Sequence, residues 1–275
     1  MKIDLLLSPF DADWGRLRDV ATLLDGSRFD TLWTFDHLSG EVVGRHWAYE
    51  CFTTLGALAT ATEHIGLGAL VANVATRNVG VLAAAAATVQ DISVGRLRLG
   101  LGAGAGPTSR FAVEQHALGI DIPPLAARHD RLVETCEALK LLWTSSGAVD
   151  HAGDHAVLDG AAGWLRADPM PPFVVGVSSV TLARRAAPLV DGINVAGDDP
   201  RMVEILTAAS EAVAAAGRDP QSLELSVFLP FDADLCDADH PERKRLARAG
   251  VRRLVLLTAP PLPARDIEAA ARRLG

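Results

Sequence analysis

Eight short apolar runs, each followed by a longer helical stretch, constrain this chain more than any other feature. The runs fall at 2–8, 30–36, 65–72, 97–103, 173–177, 192–196, 223–229 and 252–258. The helical stretches fall at 13–25, 48–62, 79–92, 124–143, 180–188, 200–216, 241–249 and 264–273. The runs are near-continuously apolar, as strands buried on both faces of a parallel sheet must be. Eight β-α units close an α/β barrel, the (β/α)8 or TIM barrel. The competitor, a doubly wound sheet, usually needs fewer strands and carries its glycine-rich fingerprint after the first of them. Here Ser8-Pro9-Phe10-Asp11 follows the first run, and the glycine-rich stretch 100–106 ends the fourth. One interruption, VDHAGDHAVLDG at 149–160, reads as a β-hairpin about Gly153-Asp154. No repeat or linker divides the chain, so residues 1–275 read as one domain.

Charge and cysteine usage narrow the setting. A net charge of −8 argues against general binding to nucleic acid or to an anionic membrane. The most apolar later stretch, Val79 to Val89, is too short to span a bilayer, and the N-terminus lacks a signal-peptide pattern. Cys51, Cys136 and Cys236 are widely spaced and odd in number, which suits a reducing cytoplasm.

In a parallel barrel the chemistry sits at the C-terminal ends of the strands. Asp36-His37 ends the second run and is the acid/base candidate, because an imidazole moves protons near neutral pH. The alternative is a structural role for His37, packed against Trp47. Gly176-Val177-Ser178-Ser179-Val180-Thr181 leads from the fifth run into a helix. Its backbone N–H groups and hydroxyls suit a phosphate, with plain N-capping by Ser178 or Ser179 as the alternative. The stretch from Gly100 to Gly106, including Ala103 and Gly104, either lets a flat ring approach the backbone or closes a tight turn. His151 and His155 flank a turn rather than share a helix face, and no third ligand is evident, so no metal is expected. His64, His116, His129 and His240 read as surface or cap residues, and the arginines of 243–253 as a solvated helix face.

Six segments together resemble the bacterial luciferase-like family of flavin- and deazaflavin-dependent oxidoreductases. They are TLWTFDHL (31–38), ATEHIGLGALVANVATRN (61–78), VGVLAAAAATVQDISVGRLRLGLGAGAG (79–106), PPLAARHDRLVETCEALKLLW (123–143), the hairpin 149–160, and PPFVVGVSSVTLARRAAPLVDGIN (171–194). The resemblance covers nearly the whole chain. It implies a barrel that binds coenzyme F420, with FMN as the alternative. It also implies a non-prolyl cis peptide near Leu70-Val71 against the cofactor ring, a cofactor phosphate on Gly176 to Thr181, and Asp36 and His37 beside the reactive centre. Dimerisation through the second and third helices is implied too, and the small residues Ala83 to Ala87 fit it.

Three departures stand out. Family dehydrogenases often carry Glu where this chain has Ala105, and a Trp shortly after the histidine, where this chain has Glu41. Ser178 and Ser179 replace the usual glycines of the fifth loop. The expected function is hydride transfer to or from a small organic substrate, or monooxygenation with a partner flavin or F420 reductase. The alternative is a non-catalytic cofactor-binding protein or partner subunit of the same fold.

Overall fold

The computed structural model describes residues 1–162 and 167–274. Eight parallel strands close a barrel: β1 (Lys2–Leu6), β2 (Thr31–Thr34), β3 (Gly66–Asn73), β4 (Leu97–Gly102), β7 (Phe173–Gly176), β8 (Gly192–Ala196), β9 (Glu224–Pro230) and β10 (Arg253–Leu257). Around the ring the order is β1-β10-β9-β8-β7-β4-β3-β2, so each strand lies beside its neighbour in the β-α succession. The expected hairpin forms as β5 (Val149–Ala152) and β6 (Val157–Ala161), antiparallel. The intervening helices are α1 (Trp14–Asp25), α2 (Cys51–Ala61), α3 (Val79–Ile92), α4 (Val113–Ala117), α5 (Leu125–Thr144), α6 (Val180–Ala186), α7 (Met202–Ala215), α8 (Pro241–Arg248) and α9 (Ala264–Leu274). Among the described residues no helix is long and apolar enough to cross a membrane.

The pleat sorts each strand into two faces. On β1, Ile3, Leu5 and the following Leu7 join the large core between sheet and helices, while Leu6 faces the barrel lumen with Trp33, Leu70, Val174 and Val255. Below that apolar layer the lumen holds charge. Arg253, 1% exposed, binds Asp4, Asp30 and Glu224, and Trp33 donates its indole N–H to Asp4 at 2.6 Å. Arg253 therefore does not belong to a solvated helix face. It opens a strand whose inward positions continue with Val255 and Leu257.

Helix starts follow local capping chemistry. Asp13 accepts from Arg16 N, Asn78 from Gly80 N and Ser179 from Leu182 N. The turn into β3 is held differently. The Asp25 carboxylate, at the end of α1, accepts from the backbone N–H groups of Glu63, His64 and Ile65 at 2.9, 2.8 and 2.8 Å. Burial pushes this carboxyl up, but the three backbone donors outweigh it and hold it at about 2, down from 3.8. A depressed carboxyl contributes stability that is full above the unfolded value and is lost as pH falls through the folded one. Asp25→Ala is expected to cost about 2 kcal/mol near neutral pH, the scale of backbone donors left without a charged acceptor. In urea denaturation the gap to wild type narrows as pH is lowered from about 4 to 2. A gap that stays constant over that range defeats the assignment.

Candidate active site

Just past the end of β2, the two residues expected to act together take different partners. Phe35 packs onto the lumen cluster. Asp36 turns outward, its side chain 1% exposed, and accepts from Asn73 N at 3.0 Å and from Arg77 through Nε at 3.0 Å and Nη2 at 2.5 Å. Arg77 also binds Glu50, the N-cap of α2, and lies over the Phe52 ring. The Asp36 carboxylate is thus occupied in tying the end of β2 to the loop after β3.

His37 turns the other way. Its Nδ1 lies 2.8 Å from Glu114 Oε1, while Glu114 Oε2 accepts from Leu38 N at 2.7 Å and Ser39 N at 3.1 Å. Burial pushes the Glu114 carboxyl up, but the His37 hydrogen bond and charge and the two backbone donors outweigh it and hold it below its ordinary value. A carboxylate that accepts from two N–H groups is ionised, so Nδ1 is the donor and carries the proton. That leaves Nε2 as the nitrogen available for chemistry. The ring is flanked by Phe10 at 5.7 Å, Phe35 at 6.1 Å and Phe111 at 5.7 Å, the last nearly parallel at 24°. Trp47, the partner considered from sequence, pairs instead with Tyr49.

The glycines of β4 answer to β3. The Leu70-Val71 peptide is cis, at the position the resemblance implied, and the β3–β4 register shifts between Ala69 and Ala72. A Cβ on Gly100 would lie 2.0 Å from Ala69 O, one on Gly102 2.4 Å from Val71 Cγ2, and one on Gly176 3.1 Å from Val71 Cγ1. At Gly100 and Gly102 no Cβ fits, and at Gly176 Val71 would have to give way, so these glycines make room for the bulge and for Val71. Gly104 has φ +76°, and its carbonyl accepts from Arg128 Nη1 at 2.8 Å. Ala103 packs its methyl against the outer core rather than toward the lumen, and so does Val177. Leu70 and Val71 belong to the lumen cluster.

In the loop after β7, Ser179 Oγ accepts from Leu182 N at 3.3 Å, so this hydroxyl caps α6. Ser178 and Thr181 are exposed, and Ser178 O accepts from Arg201 Nη2 at 3.0 Å. At the end of the first strand Ser8 is buried beside Phe10, and its Oγ lacks a hydrogen-bond partner. His151 Nδ1 pairs with Ala156 O inside the hairpin. Among the described residues no three His, Cys, Asp or Glu side chains come together as a metal would require. His240 caps α8, whereas His129 is 6% exposed and is not a surface residue.

Glu114, Phe111 and Phe10 were not among the candidates read from sequence. Glu114 lies in α4, a five-residue helix too short to show periodicity, and its partner is 77 positions away.

The profile of the luciferase-like monooxygenase family matches residues 3–274. An F420-dependent glucose-6-phosphate dehydrogenase from Nakamurella multipartita is 30% identical over 225 residues, covering 79% of this chain and 64% of that protein. For the first three curated relatives the matched region is 59%, 64% and 62% of the relative's length, so the chain spans about three fifths of them. An F420-dependent secondary alcohol dehydrogenase, solved with an F420-acetone adduct, superposes with a TM-score of 0.85 at 18% identity over 100% of this chain and 99% of that one. A monooxygenase, RslO1, from Streptomyces bottropensis superposes with a TM-score of 0.75 at 20% identity over 99% and 97%. These two superpositions bear on the fold. Matched from residue 3 to residue 274, the chain belongs to the luciferase-like monooxygenase family.

Proposed function

We propose that this chain is an oxidoreductase that binds coenzyme F420 and exchanges a hydride with a small organic alcohol or carbonyl compound. The observation that carries the reading is the Glu114–His37 pair, which fixes one imidazole nitrogen and leaves the other open at the catalytic end of the barrel. F420-dependent curated relatives support the choice of cofactor.

The residues present suit such a cofactor. Leu70 and Val71 offer an apolar bulge for a ring face, and the backbone from Ala103 to Gly104 borders it. Gly176, Ser178, Ser179 and Thr181 form the phosphate end, where the exposed Ser178 and Thr181 hydroxyls replace the glycine-rich loop usual in the family; Val177 lines it only from the core, its N–H donating to Asn194 O. When bound, the deazaflavin supplies or accepts the hydride. His37 Nε2 takes the proton of a substrate hydroxyl as the carbon is oxidised, or returns it to the carbonyl oxygen in the reverse direction. Glu114 balances the imidazolium and holds its plane. With Ala at 105, Glu114 is the carboxylate that serves this histidine. Asp36 acts as a positioning residue through Arg77 and Asn73, not as a proton carrier.

The groove between α2 and α3, lined by Phe52, Gly56, Val81, Ala84, Thr88 and Ile92, suits a second copy of the chain. Val81 and Ile92 are 60% and 43% exposed there, which supports a homodimer. The three cysteines are free and buried, which fits a reducing cytoplasm.

Separate titrations of the purified protein with F420 and FMN, followed by cofactor fluorescence, test the cofactor. F420 is expected to bind at least about tenfold more tightly, a difference of about 1.4 kcal/mol. Preference for FMN replaces hydride transfer with oxygen use and calls for a partner reductase. Binding of neither removes the cofactor reading.

A further inference from the structure

We propose that the substrate seat beside His37 takes an uncharged, apolar, ring-bearing alcohol or carbonyl compound and rejects phosphorylated sugars. The alcohol–carbonyl chemistry rests on the function proposed above; the apolar character rests on the wall itself. Phe35 and Phe111 are half-buried next to the imidazole, Phe10 is 3% exposed behind them, and the His37 side chain keeps 21% of its surface. Leu38, which follows His37 in sequence, is 41% exposed. Half-buried aromatic rings beside a polar reacting group favour a flat apolar body over a hydrated one.

Apart from Ser8 Oγ, buried beside Phe10 without a partner, and the exposed Arg110, the polar groups near this wall are committed to protein partners. Arg77 serves Asp36 and Glu50. Arg45 donates to Pro260 O at 3.1 Å. Ser39 Oγ accepts from Glu41 N, and Asn73 Oδ1 from Ala75 N. Arg110 lies flat on Phe111, 4.7 Å from the ring centroid, and is exposed. A sugar would leave several hydroxyls without partners against the phenyl rings. A phosphate would find no buried, uncommitted cation among these residues. Each such loss discriminates more strongly than an extra apolar contact would.

Acetophenone and glucose 6-phosphate serve as probes, with binding read by saturation-transfer NMR on the protein with and without added F420. Acetophenone is expected to bind, and glucose 6-phosphate to give no transfer at tenfold higher concentration. Phe111→Ala weakens acetophenone by about tenfold, the scale of one aromatic contact, whereas Phe111→Leu keeps apolar contact and loses less than about threefold. Circular dichroism checks that each variant is folded. Phe35→Ala repeats the test on the second ring if Phe111→Ala unfolds. The proposal is overturned if acetophenone does not bind, if glucose 6-phosphate binds as well, or if ring removal leaves acetophenone unaffected. The rings belong to the protein alone, so the cofactor-free arm reports on the seat even where the F420 titration fails. The two readings therefore fail in different experiments.

Discussion

Replacing His37 with Ala is expected to lower the turnover of the F420-loaded protein by about two orders of magnitude, the usual contribution of one positioned acid/base group. The loss falls mainly on kcat, because the imidazole meets the substrate proton in the transition state and adds little to ground-state binding. Glu114→Gln keeps an acceptor for Nδ1 but removes the charge that balances the imidazolium, so about tenfold is expected to be lost there. The two residues act as one unit, so the double variant is expected to be no slower than His37→Ala alone. The pocket left by His37 lies between the Phe10 and Phe111 rings and is sized for an imidazole. Added imidazole should therefore restore part of the His37→Ala activity and none of the activity lost in Glu114→Gln. Steady-state kinetics with a responsive substrate measures all four proteins. A His37→Ala variant as fast as wild type would remove the histidine from the chemistry.

Much of the fold was legible because the signals that define it are local. Runs such as FVVGV at 173–177 and LRLGLGA at 97–103 are apolar at consecutive positions, which only strands covered on both faces tolerate. Asp13, Asn78 and Ser179 mark helix starts through hydrogen bonds that span two or three residues. The site was legible only in outline. Asp36 and His37 are adjacent in sequence, but just past the end of β2 they take different partners, so they could share a strand end without sharing a task. The glycines of β4 signal that something must fit close to them. What fits is Val71, and it comes from another strand. Glu114 gave no signal, because a buried carboxylate in a five-residue helix is indistinguishable in sequence from a solvated one. Arg253 reads with the arginines of α8 because they are close in sequence. Its position was decided by Asp4, which lies 249 residues away.

That arginine carries the largest stability effect expected in the molecule. Arg253 Nη1 lies 2.7 Å from both Asp4 oxygens and 2.7 Å from Asp30 Oδ2, while Nε and Nη2 reach Glu224 at 2.8 and 3.2 Å. Arg98 also binds Glu224, and its Nε is buried without a partner, so it cannot readily replace Arg253. Arg253→Ala leaves Asp4 and Glu224 short of their main counter-charge at the floor of the barrel. Breaking a buried pair from one side costs about 3–5 kcal/mol, because the remaining charge stays desolvated. The cost should depend on pH. Burial already pushes the Asp4 carboxyl up to about 6, against the charge and hydrogen bonds of Arg253 and the hydrogen bond of Trp33. Stability associated with a raised carboxyl is full below the unfolded value of 3.8 and is lost as pH rises through the folded value. Without Arg253 the carboxyl rises further, so the variant keeps losing stability above the pH at which wild type has levelled off. Urea denaturation at pH 5 and pH 8 should therefore show the larger deficit at pH 8. An equal deficit at both values, or one under about 1 kcal/mol, would mean that the barrel floor is held by its packing and not by this arginine.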